Sequence, residues 1–270
     1  MASRWRALGR NLAALSRGQD LVTRAETAQH ALAAERRRGE AVCRALVDRH
    51  CDGWELPPPP LRRRVGADDT PLEFWAKGIA SSGAVLDVFG PAPDSPVLDW
   101  GCGSGRTRLW LQPHAAWRTH YYGCDVDADA VAWLAQRGVE HVAVCDEQPP
   151  LPYPDGLFAG LFAFSVLTHI SPEHHRAWYE EVRRVLRPGG VAFVTTLGEW
   201  ALARASVPGQ DHYRRHGWVF EADARPGCSH HLSAVTEAFT RTAVDGLLAV
   251  GGYDERGYLE HQDAWRLRRP

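Results

Sequence analysis

Short apolar runs alternate with amphipathic helical patterns from residue 70 to residue 198. The runs are bounded by turn residues, as buried strands are, and the fourth run is apolar enough to be covered on both faces of a sheet. They are PVLDW (96–100), THYYGCDVD (119–127), EHVAVCD (140–146), GLFAGLFAFSVL (156–167) and VAFVTTLG (191–198). Strands that alternate with helices predict a doubly wound α/β fold with a parallel sheet.

Three of the predicted helices are preceded by residues that are typical of a helix N-terminus. Thr70 and Pro71 give a cap followed by proline at the first helical position. Ser171 and Pro172 predict the same arrangement for the helix after the fourth strand, and Asp127 is placed to cap the helix after the second.

A separate helical segment precedes this pattern. Apolar residues recur at helical spacing through the first 50 residues, with arginines between them. The prolines of LPPPPL (56–61) stop any helix, so we expect a helical extension over residues 1–52 and one domain over residues 53–270. The triplet RRR (36–38) is typical of a solvated helix face, although a basic amphipathic segment also fits a partner or a membrane surface. The extension also fits a homodimer contact.

The composition narrows the class of protein. Of 270 residues, 31 are Lys or Arg and 33 are Asp or Glu, and the net charge of -2 argues against a nucleic-acid partner. No apolar run approaches the roughly 20 residues that span a bilayer, and the N-terminal stretch lacks the apolar core of an export signal. The six cysteines are scattered without a C-x-x-C pair, which favours buried thiols in a reducing cytoplasm.

The turn after the first strand holds three glycines and an acid. In VLDWGCGSGR (97–106), Gly101, Gly103 and Gly105 follow Asp99 at the sheet edge where ligands bind in this fold class. A dinucleotide-binding turn has the spacing G-x-G-x-x-G and places a phosphate at the helix start. Here the spacing is G-x-G-x-G, and Asp99 would repel a phosphate. A ligand with an ammonium group and no phosphate, such as S-adenosylmethionine, removes this conflict.

Two further acids end the next two strands. Asp125 follows the second strand, where a carboxylate can accept both hydroxyls of a ribose. Asp146 follows the third strand and can meet the exocyclic amine of an adenine, although a solvated loop acid fits the same position. Together with the glycine turn, these acids predict a nucleoside-binding cleft.

The chain resembles the class I S-adenosylmethionine-dependent methyltransferases over about residues 56–270. The resemblance lies in the order and spacing of VLDWGCGSGR, YYGCDVD, PPLPYPDG, FAFSVLTHI and RVLRPGG. The chain is more narrowly similar to the type 11/12-like methyltransferases of bacterial glycan or natural-product gene clusters. This implies a seven-stranded Rossmann-like sheet in which DGLLAVGGY (245–253) and QDAWRLRR (262–269) form a terminal hairpin, with the last strand antiparallel.

The resemblance also implies a role for each matching residue of the glycine turn. Asp99 and the backbone of Gly101, Cys102 and Gly103 would hold the methionine part of the cofactor, and Gly105 would close the turn.

The adenosine part would be held at the next two strands. The resemblance implies that Asp125 binds the ribose and that Val126 packs on the adenine, while Asp146 and Glu147 address the adenine amine.

One position departs from the family pattern. The family usually has a Phe-Asp pair at the start of the fourth strand, and its acid is expected to help order the glycine turn. This chain has Phe158-Ala159. The substitution keeps open a non-catalytic cofactor-binding or scaffold role.

The reaction centre is expected just past the fourth strand. The resemblance implies that Phe164 and Ser165 form the floor near the sulfonium. His169 lies close by, and its intrinsic pKa suits a general base, although it equally fits a cap or a wall residue. Glu199, directly after the fifth strand, is a second candidate base.

An insertion over about residues 198–232 is expected to cover the acceptor site. It is rich in histidine, arginine and aromatic residues, more than a plain connection needs. The alternative for this segment is a metal site from Asp211, His212, His230 and His231, but adjacent histidines point apart in an extended chain, so we expect no metal.

These features favour methyl transfer to a small-molecule or sugar acceptor, as O-methylation in glycan or natural-product biosynthesis. The alternatives are the scaffold role and an RNA methyltransferase, which would need a basic face beside the site.

Overall fold

The computed structural model describes residues 34–35, 37–49, 54–65, 71–222 and 231–270. The chain divides into two compact units, Met1–Asp52 and Gly53–Pro270. In the first unit, the described residues from 34 to 49 are helical (α1). Arg37 and Arg38 are exposed on this helix, as a solvated face requires. The rest of the predicted N-terminal helix and Thr70 lie outside the described residues, and the homodimer contact stays a prediction.

The second unit alternates strands and helices as the sequence predicts. Its helices are α2 (Pro59–Arg64), α3 (Pro71–Phe89), α4 (Arg106–Leu111), α5 (Ala115–His120), α6 (Ala128–Ala135), α7 (His175–Val185), α8 (Val207–His216) and α9 (Glu237–Val244), with 3-10 helices at Pro172–His174 and Glu199–Arg204. Its strands are β1 (Val97–Trp100), β2 (Tyr121–Asp125), β3 (Val142–Val144), β4 (Phe158–Ala163), β5 (Leu186–Thr196), β6 (Trp218–Ala222), β7 (His231–Val235), β8 (Ala249–Tyr258) and β9 (Gln262–Arg268).

Seven strands form one sheet in the order β3-β2-β1-β4-β5-β9-β8. Strands β1 to β5 pair in parallel, and β9 is antiparallel to both of its neighbours, β5 and β8. This confirms the doubly wound seven-stranded sheet with an antiparallel terminal strand. The carboxyl ends of β1 to β4 therefore meet at one edge, and the start of β9 reaches the same edge.

β6 lies within the predicted insertion and β7 begins at its end, and the two strands form a separate antiparallel sheet. β7 is joined to the main domain by its backbone, because the amide of Ser233 donates to the carbonyl of Thr168 and the amide of Val235 donates to the carbonyl of Leu197. These contacts seat β7 against the turn that follows β4.

The core fills both faces of the sheet. Leu98 of β1 and Phe162 of β4 are fully buried, and Trp100 packs against Trp178 of α7 with ring centroids 4.5 Å apart. Burial of side chains of this size stabilises the fold by about 2–3 kcal/mol each. This packing holds the ends of β1 and β4 rigidly at the edge where the glycine turn lies.

Two local expectations have different outcomes. Asp127 caps α6, because its side chain accepts hydrogen bonds from the amides of Asp129 and Ala130. The expectation that Ser171 caps the following helix by its side chain is wrong. Ser171 makes no such bond, because a 3-10 turn intervenes and α7 begins only at His175.

No helix among the described residues combines the length and the apolar character that crossing a membrane requires.

Candidate functional site

The glycine turn is held by backbone hydrogen bonds from the end of β2. The amides of Gly101 and Cys102 donate to the carbonyl of Cys124 over 2.8 and 3.1 Å. The amide of Gly103 donates to the carboxylate of Asp125 over 2.7 Å. Gly101 and Gly103 have φ values of 81° and 50°, in the left-handed region where a side chain is strained. Glycine therefore lets the turn fold tightly against β2.

Asp99 is buried at the base of this turn, only 3% exposed. The hydroxyl of Tyr121 donates to its carboxylate over 2.8 Å. Burial, together with the nearby charge of Asp125, raises the pKa of Asp99 to about 7. The hydrogen bond from Tyr121 acts in the opposite direction and lowers the pKa of Asp99. A cation placed beside Asp99 would return it to the ionised form, so this carboxylate fits an ammonium group and opposes a phosphate.

The end of β2 presents a carboxylate and an apolar side chain side by side. Asp125 accepts from the amides of Gly103 and Asp127, and burial nevertheless raises the pKa of Asp125. Val126, directly after it, is 54% exposed, so its side chain is open to a ligand. Asp146 and Glu147 are exposed beyond the end of β3. This arrangement fits a nucleoside whose ring lies on Val126.

A cleft of about 1320 Å³ opens along this edge of the sheet. Most of the predicted site residues line it: Asp99, Gly101, Cys102, Asp125, Val126, Asp146, Glu147, Phe164, Ser165 and His169. Gly103 and Gly105 instead shape the turn, with Gly105 at the start of α4. Single-ligand pockets are typically about 300–1,000 Å³, so this cleft has room for a cofactor and a second small molecule.

The floor of the cleft is a strained turn after β4. Strand β4 ends at Ala163, and Ser165 takes a left-handed conformation with φ of 63°. Three side chains hold it there: Thr195 accepts from its amide, Thr168 donates to its carbonyl, and Gln262 donates to its hydroxyl, over 2.9, 2.8 and 2.7 Å. Strained non-glycine residues held in this way are typical of functional sites.

His169 lines the cleft, and its ring is held by the insertion. Its Nδ1 is 3.1 Å from the carbonyl oxygen of His231 in β7. A carbonyl oxygen only accepts, so Nδ1 donates in this contact.

The other candidates of the insertion lie elsewhere. Glu199 is exposed at the start of a 3-10 helix and is not among the residues that line the cleft. The ring of His212 packs against His216 and Trp218. His231 stacks on Phe220 with ring centroids 4.7 Å apart. His230 lies outside the described residues, within which no three metal-binding side chains come together.

The concern raised by Ala159 is removed by its position. The amide of Ala159 donates to the carbonyl of Pro96, at the amino end of β1. The glycine turn lies at the carboxyl end of that strand. An acid at position 159 could not reach the turn, so the expectation that its absence loosens the turn is wrong.

A segment that sequence analysis did not assign to the site also lines the cleft. Arg64 at the end of α2 pairs with Asp127 and Asp129 at the start of α6, over 2.8 and 3.1 Å. The side chain of Val65 packs over Gly103, and its carbonyl accepts from Arg106. Arg64 ends a second run of three arginines, residues 62–64, and only the fold shows that Arg64 lies against the start of α6.

Comparisons with known proteins agree with this geometry. Residues 97–190 match the family model described as a methyltransferase domain. The chain is 30% identical over 128 residues to a tRNA N(3)-cytidine methyltransferase, METTL2, of Gallus gallus, and 33% identical over 120 residues to the uncharacterized methyltransferase YodH of Bacillus subtilis. These matches cover 44% and 42% of this chain and only 34% and 48% of the relatives.

Solved structures show the same fold. An S-adenosylmethionine-dependent methyltransferase from Mesorhizobium loti has a TM-score of 0.55 at 16% identity, with 70% of this chain and 98% of that chain covered. A second one, from Aquifex aeolicus, has a TM-score of 0.52 at 17% identity, with 80% and 100% covered. Residues 97–190 therefore match a methyltransferase domain, and the sheet has the Rossmann-like fold of S-adenosylmethionine-dependent methyltransferases.

Proposed function

We propose that this protein transfers a methyl group from S-adenosylmethionine to a hydroxyl of a small molecule or sugar. The observation that supports this proposal is the position of His169, which lines the cleft while its Nδ1 lies 3.1 Å from the carbonyl oxygen of His231. An alcohol must lose its proton when it is methylated, and an oriented imidazole contributes about 100-fold or more to such a step. Biosynthesis of glycans or natural products is the setting we propose.

The cofactor would lie along the ends of β1 to β3. The buried Asp99 supports a role in holding the ammonium of the methionine part, since burial raises its pKa and the nearby charge of Arg106 does not offset that rise. The backbone of Gly101, Cys102 and Gly103 would contact the methionine part, and Gly105 would close the turn. Asp125 would bind the ribose, and Val126, Asp146 and Glu147 would contact the adenine. Phe164 and Ser165 would form the floor near the sulfonium.

In the proposed reaction the cofactor supplies the methyl group, and the protein removes the proton of the acceptor and positions it. When bound, S-adenosylmethionine supplies the electrophilic methyl group. His169 takes the proton of the acceptor oxygen on Nε2, and the carbonyl of His231 stabilises the resulting imidazolium through Nδ1. The walls of the cleft hold the acceptor oxygen in line, which supplies much of the rate enhancement in a displacement of this kind.

A second candidate is methylation of RNA. The chicken relative is named as a tRNA methyltransferase, so the sequence-based argument against a nucleic-acid partner is not supported. The scaffold role was suggested mainly by the missing acid at position 159. Position 159 lies at the opposite end of β1 from the glycine turn, so the missing acid no longer supports that role.

The test is methyl transfer from S-adenosylmethionine labelled with tritium in the methyl group. Purified protein would be incubated with the small-molecule fraction and, separately, the tRNA fraction of a bacterial extract. We expect label in the small-molecule fraction. His169→Ala should lower turnover by about 100-fold or more while leaving the Kd for S-adenosylhomocysteine within about twofold. His216→Ala, an exposed histidine on α8 outside the cleft, is the matched control.

Other outcomes decide against the proposal. Label in tRNA alone would establish the RNA reaction, and cofactor binding without transfer to either fraction would favour the scaffold role. Unchanged turnover in His169→Ala would remove His169 from the mechanism.

A further inference from the structure

The turn that carries His169 is bound by the side chain of a second histidine, His175. Nε2 of His175 lies 3.2 Å from the carbonyl oxygen of Leu167 and 3.2 Å from that of Ile170. Because both oxygens only accept, Nε2 carries the proton and shares it between them. These two carbonyls stand on either side of Thr168 and His169, so one N–H holds the backbone before and after the proposed base.

His175 is anchored in the core. It is the first residue of α7, is 1% exposed and is not among the residues that line the cleft. Its ring contacts those of Tyr179 and Phe239, whose centroids lie 6.4 and 5.9 Å from its own. Trp178 of the same helix packs on Trp100 at the end of β1. The hydrogen bonds of His175 therefore join the turn to a helix that close packing holds in place.

Packing alone does not require an imidazole at this position. Its ring neighbours are aromatic, and its Nδ1 is buried with no hydrogen-bond partner among the described residues. A buried polar atom without a partner costs free energy, and burial lowers the pKa of His175 to about 4. A phenylalanine would fill the same space without either cost. What a phenylalanine lacks is the Nε2 proton that binds the turn.

The opposite side of the same turn is held by β7. The amide of Ser233 donates to the carbonyl of Thr168 over 2.9 Å, and the carbonyl of His231 lies 3.1 Å from Nδ1 of His169. A shift of the turn would therefore move the ring of His169 away from that carbonyl. Because the pKa of His175 is about 4, its ring is uncharged at neutral pH and acts on His169 through geometry alone.

We infer that His175 is a positioning residue for methyl transfer. Its Nε2–H holds the turn from Leu167 to Ile170, so that the ring of His169 stays at the cleft with Nδ1 on the carbonyl of His231. This inference rests on the proposed function, in which His169 takes the proton of the acceptor. His175 itself is buried behind the turn and takes no part in the proton transfer.

The first test observes the ring of His169 directly and needs no acceptor. Ligand-free protein with isotope-labelled histidine rings is examined by proton–nitrogen correlation NMR at about pH 8, where a free imidazole is neutral. Signals that are missing from His169→Ala and from His175→Gln identify the two rings. In the wild type we expect a proton on Nδ1 of His169 and on Nε2 of His175.

Three variants then separate the hydrogen bond from the stability of the helix. His175→Phe should leave His169 with the exchanging tautomers of a mobile imidazole. His175→Gln, whose amide can donate in place of Nε2, should keep the wild-type signal of His169. Val182→Ala is the matched control, because it removes buried volume from the same helix and no hydrogen bond of the turn. It should also keep that signal.

The second test asks whether His175 acts through His169. Transfer of tritium-labelled methyl groups to the small-molecule fraction is measured for the wild type, both single variants and the double variant. We expect His175→Phe to lower the rate by about tenfold or more in the wild type, but by less than about twofold in His169→Ala, which has no base to position. The Kd for S-adenosylhomocysteine should stay within about twofold throughout.

Two results overturn the inference. One is an unchanged signal of His169 in His175→Phe. The other is an equal loss of rate in the wild-type and His169→Ala backgrounds, which a residue that only stabilises the fold would produce. If His175→Phe does not fold, the wild-type spectrum decides, because a proton on Nδ1 of His175, or none on Nδ1 of His169, contradicts the inference. Absence of transfer by the wild type overturns the proposed function, and the ring spectra still decide whether His175 holds His169.

Discussion

The amide of Gly103 donates to the carboxylate of Asp125 over 2.7 Å, which joins the turn after β1 to the end of β2. The second carboxylate oxygen of Asp125 accepts from the amide of Asp127 over 2.9 Å. One side chain therefore fixes the glycine turn and the start of α6 at once, and its position at the cleft allows it to meet a ligand as well.

Asp125→Asn should weaken the binding of S-adenosylhomocysteine by about tenfold or more. An amide offers one acceptor atom where the carboxylate offers two, and hydrogen bonds to a charged group contribute more than neutral ones. The measurement is calorimetric titration of S-adenosylhomocysteine. Asp87→Asn, an exposed acid on α3, is the matched control and should change nothing. Equal affinity in the Asp125 variant would show that this carboxylate neither orders the turn nor contacts the ligand.

Cofactor affinity should rise with pH and level off above about 7. Burial raises the pKa of Asp99 from 3.8 to about 7, and only the ionised form attracts an ammonium group. Below about 7, each pH unit should weaken the binding of S-adenosylhomocysteine by up to tenfold. Tyr121→Phe removes a hydrogen bond that lowers the pKa of Asp99, so the midpoint should move to higher pH. A flat pH profile in the wild type would exclude Asp99 from ammonium binding.

The same shift predicts a change in the stability of the ligand-free protein. Between pH 3.8 and about 7, the folded state holds a proton on Asp99 that the unfolded chain has lost. The contribution of Asp99 to the free energy of unfolding therefore decreases as the pH rises through this window. In urea titrations, Asp99→Asn should gain stability relative to the wild type as the pH rises from about 4 to about 7. A constant difference between the two proteins would contradict the buried placement of Asp99.

Gly101→Ala and Gly138→Ala separate backbone strain from damage to the site. Both glycines have positive φ, 81° and 75°, so either substitution should cost about 1 kcal/mol or more of stability. A Cβ at Gly101 would meet Val166, a residue that lines the cleft, whereas a Cβ at Gly138 would meet nothing within 4 Å. Urea unfolding should detect both changes, and calorimetry should show weaker S-adenosylhomocysteine binding for Gly101→Ala alone. A loss of affinity in both would point to a global effect.

Sequence patterns predict the fold and the cofactor side of the cleft because those features are local. Asp99 and Asp125 end apolar strands, and parallel strands bring their carboxyl ends to one edge whatever the rest of the chain does. The acceptor side depends on contacts between distant segments. Gln262 reaches Ser165 across 97 positions of the chain, and the carbonyl of His231 reaches His169 across 62. Neither residue stands in a motif that predicts its partner.

Ala159→Asp should leave S-adenosylhomocysteine affinity within about twofold of the wild type. The family pattern places an acid here and suggests that it orders the glycine turn, but the amide of Ala159 bonds to Pro96 at the amino end of β1. The turn at Gly101 to Gly103 begins beyond Trp100, the last residue of that strand, and already has Cys124 and Asp125 as acceptors for its amides. Position 159 lies level with Pro96, about 16 Å along β1 from Gly101 at the usual rise of a strand, so a new carboxylate there has little effect on the cleft. Calorimetry with Ala159→Ser as a neutral control tests this. A tenfold gain in affinity for the aspartate variant alone would restore the acid to a role in the turn.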